Sequence, residues 1–156
     1  MTQITPQLAL NKAMTICSKA ERCVSDIEKK LLEWKIEPSD VQKIIQILQQ
    51  EKFIDESRYA AYFVNDKFRF NKWGKVKIGF MLKGKRISQE IIQSALKQID
   101  EQNYYTTLVQ LLQQKLKSIK AQSEYEMKAK LIRFAQARGY EYEVIAEVLS
   151  DILSNS

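Results

Sequence analysis

One short segment of the chain has the spacing of a phosphate-binding loop. The sequence GFMLKGK, residues 79–85, fits G-x-x-x-x-G-K, in which the glycines let backbone N–H groups turn toward phosphates and the lysine adds charge. Arg86 follows, so the Ser or Thr that would bind magnesium is missing. The residues between the glycines are bulky and apolar, and no Val- or Ile-rich strand precedes them. The sequence therefore favours a basic helix over a nucleotide site here.

Other residues that could carry out catalysis are scarce. The chain has no histidine, which removes the commonest general base, the Ser-His and Cys-His nucleophile systems and His-containing zinc sites. Cys17 and Cys23 lie six residues apart, which is neither a C-x-x-C motif nor a disulfide framework, so we expect reduced and buried thiols. No acidic pair stands out in an apolar setting. The absence of histidine counts against an enzyme without excluding one, since carboxylates could still act in catalysis. Our expectation is no catalytic residue, no metal site and no cofactor, and a protein that is not an enzyme.

The positive charge is concentrated in the middle third of the chain. Residues 56–100 contain 10 basic and 4 acidic side chains, whereas residues 1–55 contain 8 of each and residues 101–156 contain 7 of each. Such an excess attracts nucleic acid or an acidic protein surface, although a solvated helix face is the simpler alternative. The candidate nucleic-acid- or filament-binding residues are Lys67, Arg69, Lys72, Lys75, Lys77, Lys83, Lys85 and Arg86. A second, weaker basic stretch runs from Lys115 to Arg138 and is interrupted by Glu124 and Glu126.

Two aromatic residues lie among these basic side chains. Phe70 and Trp73 alternate with Arg69 and Lys72, and they could stack on exposed bases. Large aromatic side chains are more often buried, so we expect both to pack in the core or between repeats.

The composition indicates an all-α protein. Only 4 glycines and 2 prolines are present, too few for the many tight turns of an all-β fold. The first ten residues lack the basic start and apolar run of a signal peptide, and no stretch approaches the ~18 apolar residues of a membrane span. We therefore expect a soluble, cytoplasmic protein with no membrane partner.

Local sequence signals place nine helices along the chain. Capping boxes are predicted at Ser25–Glu28 and Ser123–Glu126, each of the form S-x-x-E, and Pro38 suits a first helical turn. Asp55 is expected to cap the helix that leads into the basic segment. Further helices are predicted at 7–19, 75–83, from about Ser88, at 104–119, and around 144–149.

Five apolar or small positions recur three times without an internal gap. The second set follows the first at an offset of 51 residues, and the third follows the second at an offset of 53. The first set is Ile27, Leu31, Ile36, Val41 and Ile45, the second is Ile78, Leu82, Ile87, Ile92 and Leu96, and the third is Leu131, Ala135, Tyr140, Ile145 and Leu149. The pattern predicts three tandem three-helix repeats in an elongated, curved helical array of right-handed type. The predicted domains are 1–54, 55–101, which is the basic one, and 102–156. Gly139 precedes the third set's Tyr140 and is expected to end its helix in the left-handed conformation, whereas Lys35 and Arg86 occupy the equivalent positions.

Three ordered motifs give the chain a family resemblance. They are Arg22-x-x-Ser25-x-x-Glu28, the segment FIDESRYA at residues 53–60, in which position 57 is open, and Gly74-x-x-x-Ile78-x-x-x-Leu82 followed by Ile87-Ser88-x-Glu90-x-Ile92. From about Ala9 to Leu153 the chain resembles the RecX family of bacterial regulatory proteins. The segment FIDESRYA is the most specific of these motifs. The sequence departs from the family at Lys35 and Arg86, where glycine is usual, which bears on the angle between the second and third helices of those repeats.

The resemblance implies a partner and a mode of action. A RecX protein binds the RecA–DNA filament and inhibits the recombinase, including strand exchange and ATP hydrolysis by RecA, in DNA recombination, DNA repair and the SOS response. It implies contact with single- or double-stranded DNA, three three-helix repeats and no catalytic residue, and we expect a monomer. The alternative from the charge pattern alone is a helical nucleic-acid-binding module without a role at RecA.

Overall fold

Nine α-helices make up the fold of the residues that the structure describes. The structure is a computed structural model, and it describes residues 4–154. In that range the helices are α1 (Pro6–Lys19), α2 (Val24–Glu33), α3 (Pro38–Gln50), α4 (Glu56–Asn71), α5 (Lys75–Gly84), α6 (Gln89–Leu96), α7 (Glu101–Leu116), α8 (Glu124–Ala137) and α9 (Tyr142–Ser154). The described residues contain no strand, and the all-α prediction is confirmed.

Most helix starts follow the predicted capping signals. Ser123 caps α8 by accepting the Glu126 N–H at 3.1 Å, and the Asp55 carboxylate accepts the Arg58 N–H at 3.0 Å at the start of α4. The predicted start of α2 at Ser25 is wrong. Cys23 is the N-cap of that helix, and Asp26 accepts the Cys23 N–H at 3.4 Å, so the helix begins two residues earlier.

The 15 repeat positions are all buried, which confirms the repeat pattern. The turn after the first helix of each set has the same backbone hydrogen bond, from Ile36 to Leu31, Ile87 to Leu82 and Tyr140 to Ala135, at 3.1–3.2 Å. A hydrogen bond of this kind is typical of a helix C-terminus in which the residue just before the donor has a left-handed backbone conformation.

Residues of three different types occupy that left-handed position. Gly139 has φ 97°, as predicted, and Lys35 and Arg86 each have φ 63°. A side chain with Cβ in this conformation costs about 1 kcal/mol or more. The turn is therefore retained without glycine, against the local backbone preference, because the buried residue that follows fixes the chain.

The chain divides into two compact units. Within the described range, the first contains residues 4–62 together with Leu82–Ile92, and the second contains Phe63–Met81 and residues 93–154. The core of the first unit is formed by apolar side chains of α1, α2 and α3, among them Ala9, Leu31 and Leu48. Cys23 is also buried and Cys17 is partly buried; both are free thiols, and burial raises the pKa of each.

The second unit is built around α7, α8 and α9. Leu108, Leu112, Leu131 and Ile145 are almost fully buried there. The rings of Phe68, Tyr104 and Tyr140 continue this core, with centroid distances of 5.8 Å between the first two and 5.1 Å between the last two. The predicted domain limits at 54/55 and 101/102 do not coincide with this division, and they stay a prediction.

Candidate nucleic-acid interface

The segment with the spacing of a phosphate loop is helical. Residues 79–84 form the last part of α5, which ends at Gly84. Ile78 and Leu82 are buried, while Phe80 and Lys83 are exposed, so the segment has the two faces of a packed helix. Its backbone N–H groups therefore do not form a phosphate-binding loop, as the missing hydroxyl residue indicated.

The eight predicted binding residues are distributed over both units. Five lie in the second unit, at the end of α4, in the loop that follows, and in the first turn of α5: Lys67, Arg69, Lys72, Lys75 and Lys77. The other three lie in the first unit: Lys83, Lys85 and Arg86.

Trp73 holds two of the second unit's lysines. The Nζ atoms of Lys67 and Lys77 lie 5.3 Å and 4.5 Å from its ring centroid, within cation–π range. The ring is partly buried, and Lys67 also lies 3.8 Å from Asp66. Trp73 thus contacts both ammonium groups, and of the two only Lys67 has a carboxylate within ion-pair distance in the described chain.

Phe70 is not in the core. Its side chain is 69% exposed, and the guanidinium carbon of Arg69 lies 5.5 Å from its ring centroid. The expectation that Phe70 packs inside the protein is therefore wrong, because its position at the end of α4 faces solvent. The expectation for Trp73 is met in part.

The loop that carries Lys72 is docked against the α8–α9 loop of the same unit. The Gly74 N–H donates to the Arg138 carbonyl at 2.8 Å, and the Val76 N–H donates to the Gly139 carbonyl at 2.9 Å. The Tyr140 hydroxyl donates to the Lys72 carbonyl at 2.9 Å. These bonds fix the loop in which Lys72 has a left-handed backbone, with φ 59°. The Lys72 ammonium donates to the Arg69 carbonyl at 2.7 Å.

Gly74 is required for that docking. A Cβ at Gly74 would lie 2.4 Å from the carbonyl carbon and oxygen of Gly139 and 2.5 Å from the Tyr140 nitrogen. All three are backbone atoms, which cannot move aside as the end of a flexible side chain can. Gly74 is part of one of the three motifs on which the family resemblance rests, and this close contact explains why the position requires glycine.

Lys75 is held by an acid and an aromatic ring. Its ammonium lies 2.8 Å from Glu101 and 4.6 Å from the Tyr104 ring centroid. The Lys75 N–H donates to the Tyr104 hydroxyl at 2.9 Å, and that hydroxyl donates to Glu141. Burial, together with the bond to Glu141, raises the pKa of Tyr104 well above its usual range, so the phenol stays neutral.

In the first unit, Lys85 and Arg86 are paired with acids near the start of α2. Lys85 lies 2.8 Å from Asp26, and Arg86 lies 2.8 Å from Glu28. Burial opposes ionisation of Asp26, but the bond and charge of Lys85 outweigh it and lower the pKa of that carboxyl. The third residue, Lys83, is exposed and has no acid within 4.0 Å among residues 4–154.

Positive charge outside the predicted set also forms a cluster. Residues from α7 and α8 that include Lys115 and Arg133 line a cavity in the second unit. The second basic stretch noted in the sequence contains both residues, although residues 101–156 as a whole carry equal numbers of basic and acidic side chains. Across residues 4–154 no group of three or more Cys, Asp or Glu side chains is placed to hold a metal ion. None of the described helices is long and apolar enough to cross a membrane.

Two models of one protein family match the chain. Residues 55–96 match the second three-helix domain of RecX, and residues 101–149 match the third. The regulatory protein RecX of Clostridium acetobutylicum is 30% identical over 152 residues, which cover 95% of this chain and 70% of that protein. The chain belongs to the RecX family. The RecX protein of Clostridium beijerinckii is 28% identical over 91% of this chain and 67% of its own length.

Solved RecX structures share the fold. A crystal structure of RecX from Lactobacillus salivarius has a TM-score of 0.85 at 20% identity, covering 94% of this chain and 95% of that one. A second crystal structure of regulatory protein RecX also has a TM-score of 0.85, at 23% identity, covering 93% of this chain and 71% of that chain. The chain spans roughly two thirds of the length of the two curated relatives named above. The family is one of regulatory proteins, and the family resemblance is confirmed.

Proposed function

We propose that this RecX-family protein binds the RecA–DNA filament and inhibits RecA, lowering both strand exchange and DNA-dependent ATP hydrolysis in bacterial recombination and repair. Membership of the family is the observation that carries this proposal. The chain itself acts by binding, and no chemical step is assigned to it. We further propose that it acts as a monomer in the cytoplasm, where RecA filaments assemble, and that its functional domains are 1–54, 55–101 and 102–156.

The proposed contact with the filament is electrostatic. Arg69, Lys72 and Lys77 have no carboxylate within 4.0 Å in the described part of the second unit. Cations that no internal acid neutralises release counterions from a nucleic-acid backbone when they bind it. Lys67 and Lys83 belong to the same proposed set. Lys75, Lys85 and Arg86 are expected to contribute less, because each must compete with a carboxylate 2.8 Å away.

The test of the proposed function is strand exchange and ATP hydrolysis by RecA with sub-stoichiometric amounts of the protein. Both activities are expected to fall. If neither changes while the protein is folded, the proposal is wrong.

The charges are tested by a pair of double variants. Arg69→Gln with Lys77→Gln is expected to weaken the effect on RecA and to lower the salt dependence of binding by about 0.7 per lost contact with a single strand. Lys19→Gln with Lys43→Gln removes the same charge from exposed positions outside the set. Equal effects of the two pairs would refute the assignment of the site.

A second candidate function is a helical module that binds nucleic acid without acting on RecA. The concentration of basic residues in residues 56–100 and the exposed Phe70 favour it. Salt-dependent binding to DNA, with no change in RecA activity, would support this function over the first.

A further inference from the structure

A cavity in the second unit is lined by basic residues outside the predicted set. It has a volume of about 570 Å³ and lies between the C-terminal part of α7, the segment that follows, and α8. Four of its lining residues are cations and none of them is acidic: Lys115, Lys120, Lys130 and Arg133. Phe134 lies on its wall.

Phe134 orders two cations at this place. The Nζ atom of Lys115 and the guanidinium carbon of Arg138 each lie 5.1 Å from its ring centroid. A cation–π contact holds a charged group without neutralising it, so both side chains keep their full charge. Because these cations occupy the ring, Phe134 is better placed to organise charge than to stack on a base.

Internal acids leave most of this charge uncompensated. Lys130 lies 3.1 Å from Glu126 and donates to the Lys120 carbonyl at 2.7 Å, which fixes its position. By contrast, no carboxylate of residues 4–154 lies within 4.0 Å of Lys115, Lys120 or Arg133. Three cations around one cavity are therefore available to an anionic ligand.

The charges of the last third of the chain are segregated. All seven of its basic residues fall within residues 115–138, which contain only two acids, Glu124 and Glu126. Its other five acids lie outside that range. A count of 7 against 7 therefore conceals a strongly basic stretch, and the fold brings part of that stretch to one cavity.

We propose that this cavity binds the phosphodiester backbone of a nucleic acid strand. This assignment rests on the proposed function in that the filament contains DNA, and it adds a contact site separate from residues 67–77. The cavity is within the ~300–1,000 Å³ of ordinary small-ligand sites, so it can take a nucleotide unit of a strand. Contacts to phosphate carry no sequence information, so binding is independent of base sequence.

The test is equilibrium binding of the full chain to labelled oligonucleotides of about 20 nucleotides, longer than a typical single-strand site. Single-stranded and duplex forms are titrated at several salt concentrations without RecA. The variant Lys115→Gln with Arg133→Gln removes two cavity charges. The control Lys117→Gln with Lys128→Gln removes two charges from the same region of the chain. It leaves the basic cavity intact, because those two lysines line other cavities.

For the cavity variant, the slope of log affinity against log salt is expected to become shallower, by about 1.4 if the cavity binds a single strand or by about 1.8 if it binds a duplex. The oligonucleotide whose slope changes identifies the form that the cavity binds. The control is expected to keep the wild-type slope. Arg133→Lys, which keeps the charge, is also expected to retain it and thus separates loss of charge from loss of fold.

Three outcomes would overturn the assignment. The first is an equal change of slope in the cavity variant and the control, which would mean that only net charge matters. The second is an unmodified chain that binds neither oligonucleotide yet inhibits RecA, in which case the proposed function stands without this site. The third is a cavity variant that binds DNA normally but no longer inhibits RecA, because the cavity would then face an acidic protein surface. A slope that responds as expected, in a protein without effect on RecA, supports the cavity and refutes the proposed function.

Discussion

Replacing Gly74 with alanine is expected to separate the α4–α5 loop from the α8–α9 loop and to destabilise the second unit. The added Cβ would lie 2.4 Å from backbone atoms of Gly139, so one loop must move away from the other. The movement breaks the bonds from Gly74 to Arg138, from Val76 to Gly139 and from Tyr140 to Lys72, at 2.8–2.9 Å.

The cost follows from these contacts. Three hydrogen bonds at about 1 kcal/mol each and the strain of an over-packed contact, about 1–3 kcal/mol, give a loss of about 4–6 kcal/mol in the free energy of unfolding. For a chain of this length, a loss of 1 kcal/mol lowers the melting temperature by about 2–4 °C, so the variant is expected to melt roughly 8–24 °C lower.

Thermal and urea unfolding followed by circular dichroism measure the effect. Gly84→Ala is the matched control, because a Cβ there would meet no atom within 4 Å and alanine favours the helix, so its stability is expected to stay the same or rise by up to about 1 kcal/mol. If Gly74→Ala melts like the unmodified protein, the close approach of the two loops does not exist.

Three further predictions concern the turns, the ion pairs and the aromatic residues. Lys35→Gly is expected to raise the free energy of unfolding by about 1 kcal/mol, because it removes the strain of a lysine in a left-handed conformation. The control Lys29→Gly, within α2, is expected to lower it by about as much. Urea titration measures both changes, and a loss of stability in both variants would contradict the turn geometry. Asp26 has a lowered pKa, so its contribution to stability is present above its ordinary value of 3.8 and is lost as the pH falls through the lower folded value. Urea stability of Asp26→Asn should therefore fall below that of the unmodified protein at neutral pH and converge with it in acid, and a constant difference would show that the charge is not involved. Trp73→Leu is expected to weaken salt-dependent DNA binding at least about twofold, because Lys67 and Lys77 lose their common ring, each contact being worth about 0.5–1 kcal/mol; Phe80→Leu serves as the exposed aromatic control, and an equal effect of both would argue against a specific role of Trp73.

The helical repeats could be predicted because their signal is local and recurs. The offsets of 51 and 53 align residues that are all buried, and the same turn hydrogen bond follows each aligned helix. Capping chemistry placed the starts of α4 and α8 for the same reason. The start of α2 was missed because Cys23 occupies the N-cap position, although serine is a preferred N-cap residue and cysteine is a weak acceptor.

The candidate site could be predicted only in part, because charge compensation depends on residues distant in sequence. Asp26 lies 59 residues from Lys85, and Glu28 lies 58 residues from Arg86, so nothing in the basic segment indicated their pairing. The exposure of Phe70 likewise depends on where α4 ends and on what packs against it. The basic cavity at Lys115 and Arg133 required the fold to bring α7 and α8 together.

Co-sedimentation with preformed RecA filaments on single-stranded DNA, in a non-hydrolysable ATP analogue, measures binding to the filament itself. DNA alone and RecA alone serve as the comparison samples at the same salt concentration. The proposed binding to RecA filaments predicts that the protein pellets with the filament in a saturable amount that exceeds the sum of the two comparison samples. A protein that stays in the supernatant with filaments at every ratio, or that pellets only as much as with DNA alone, would contradict it.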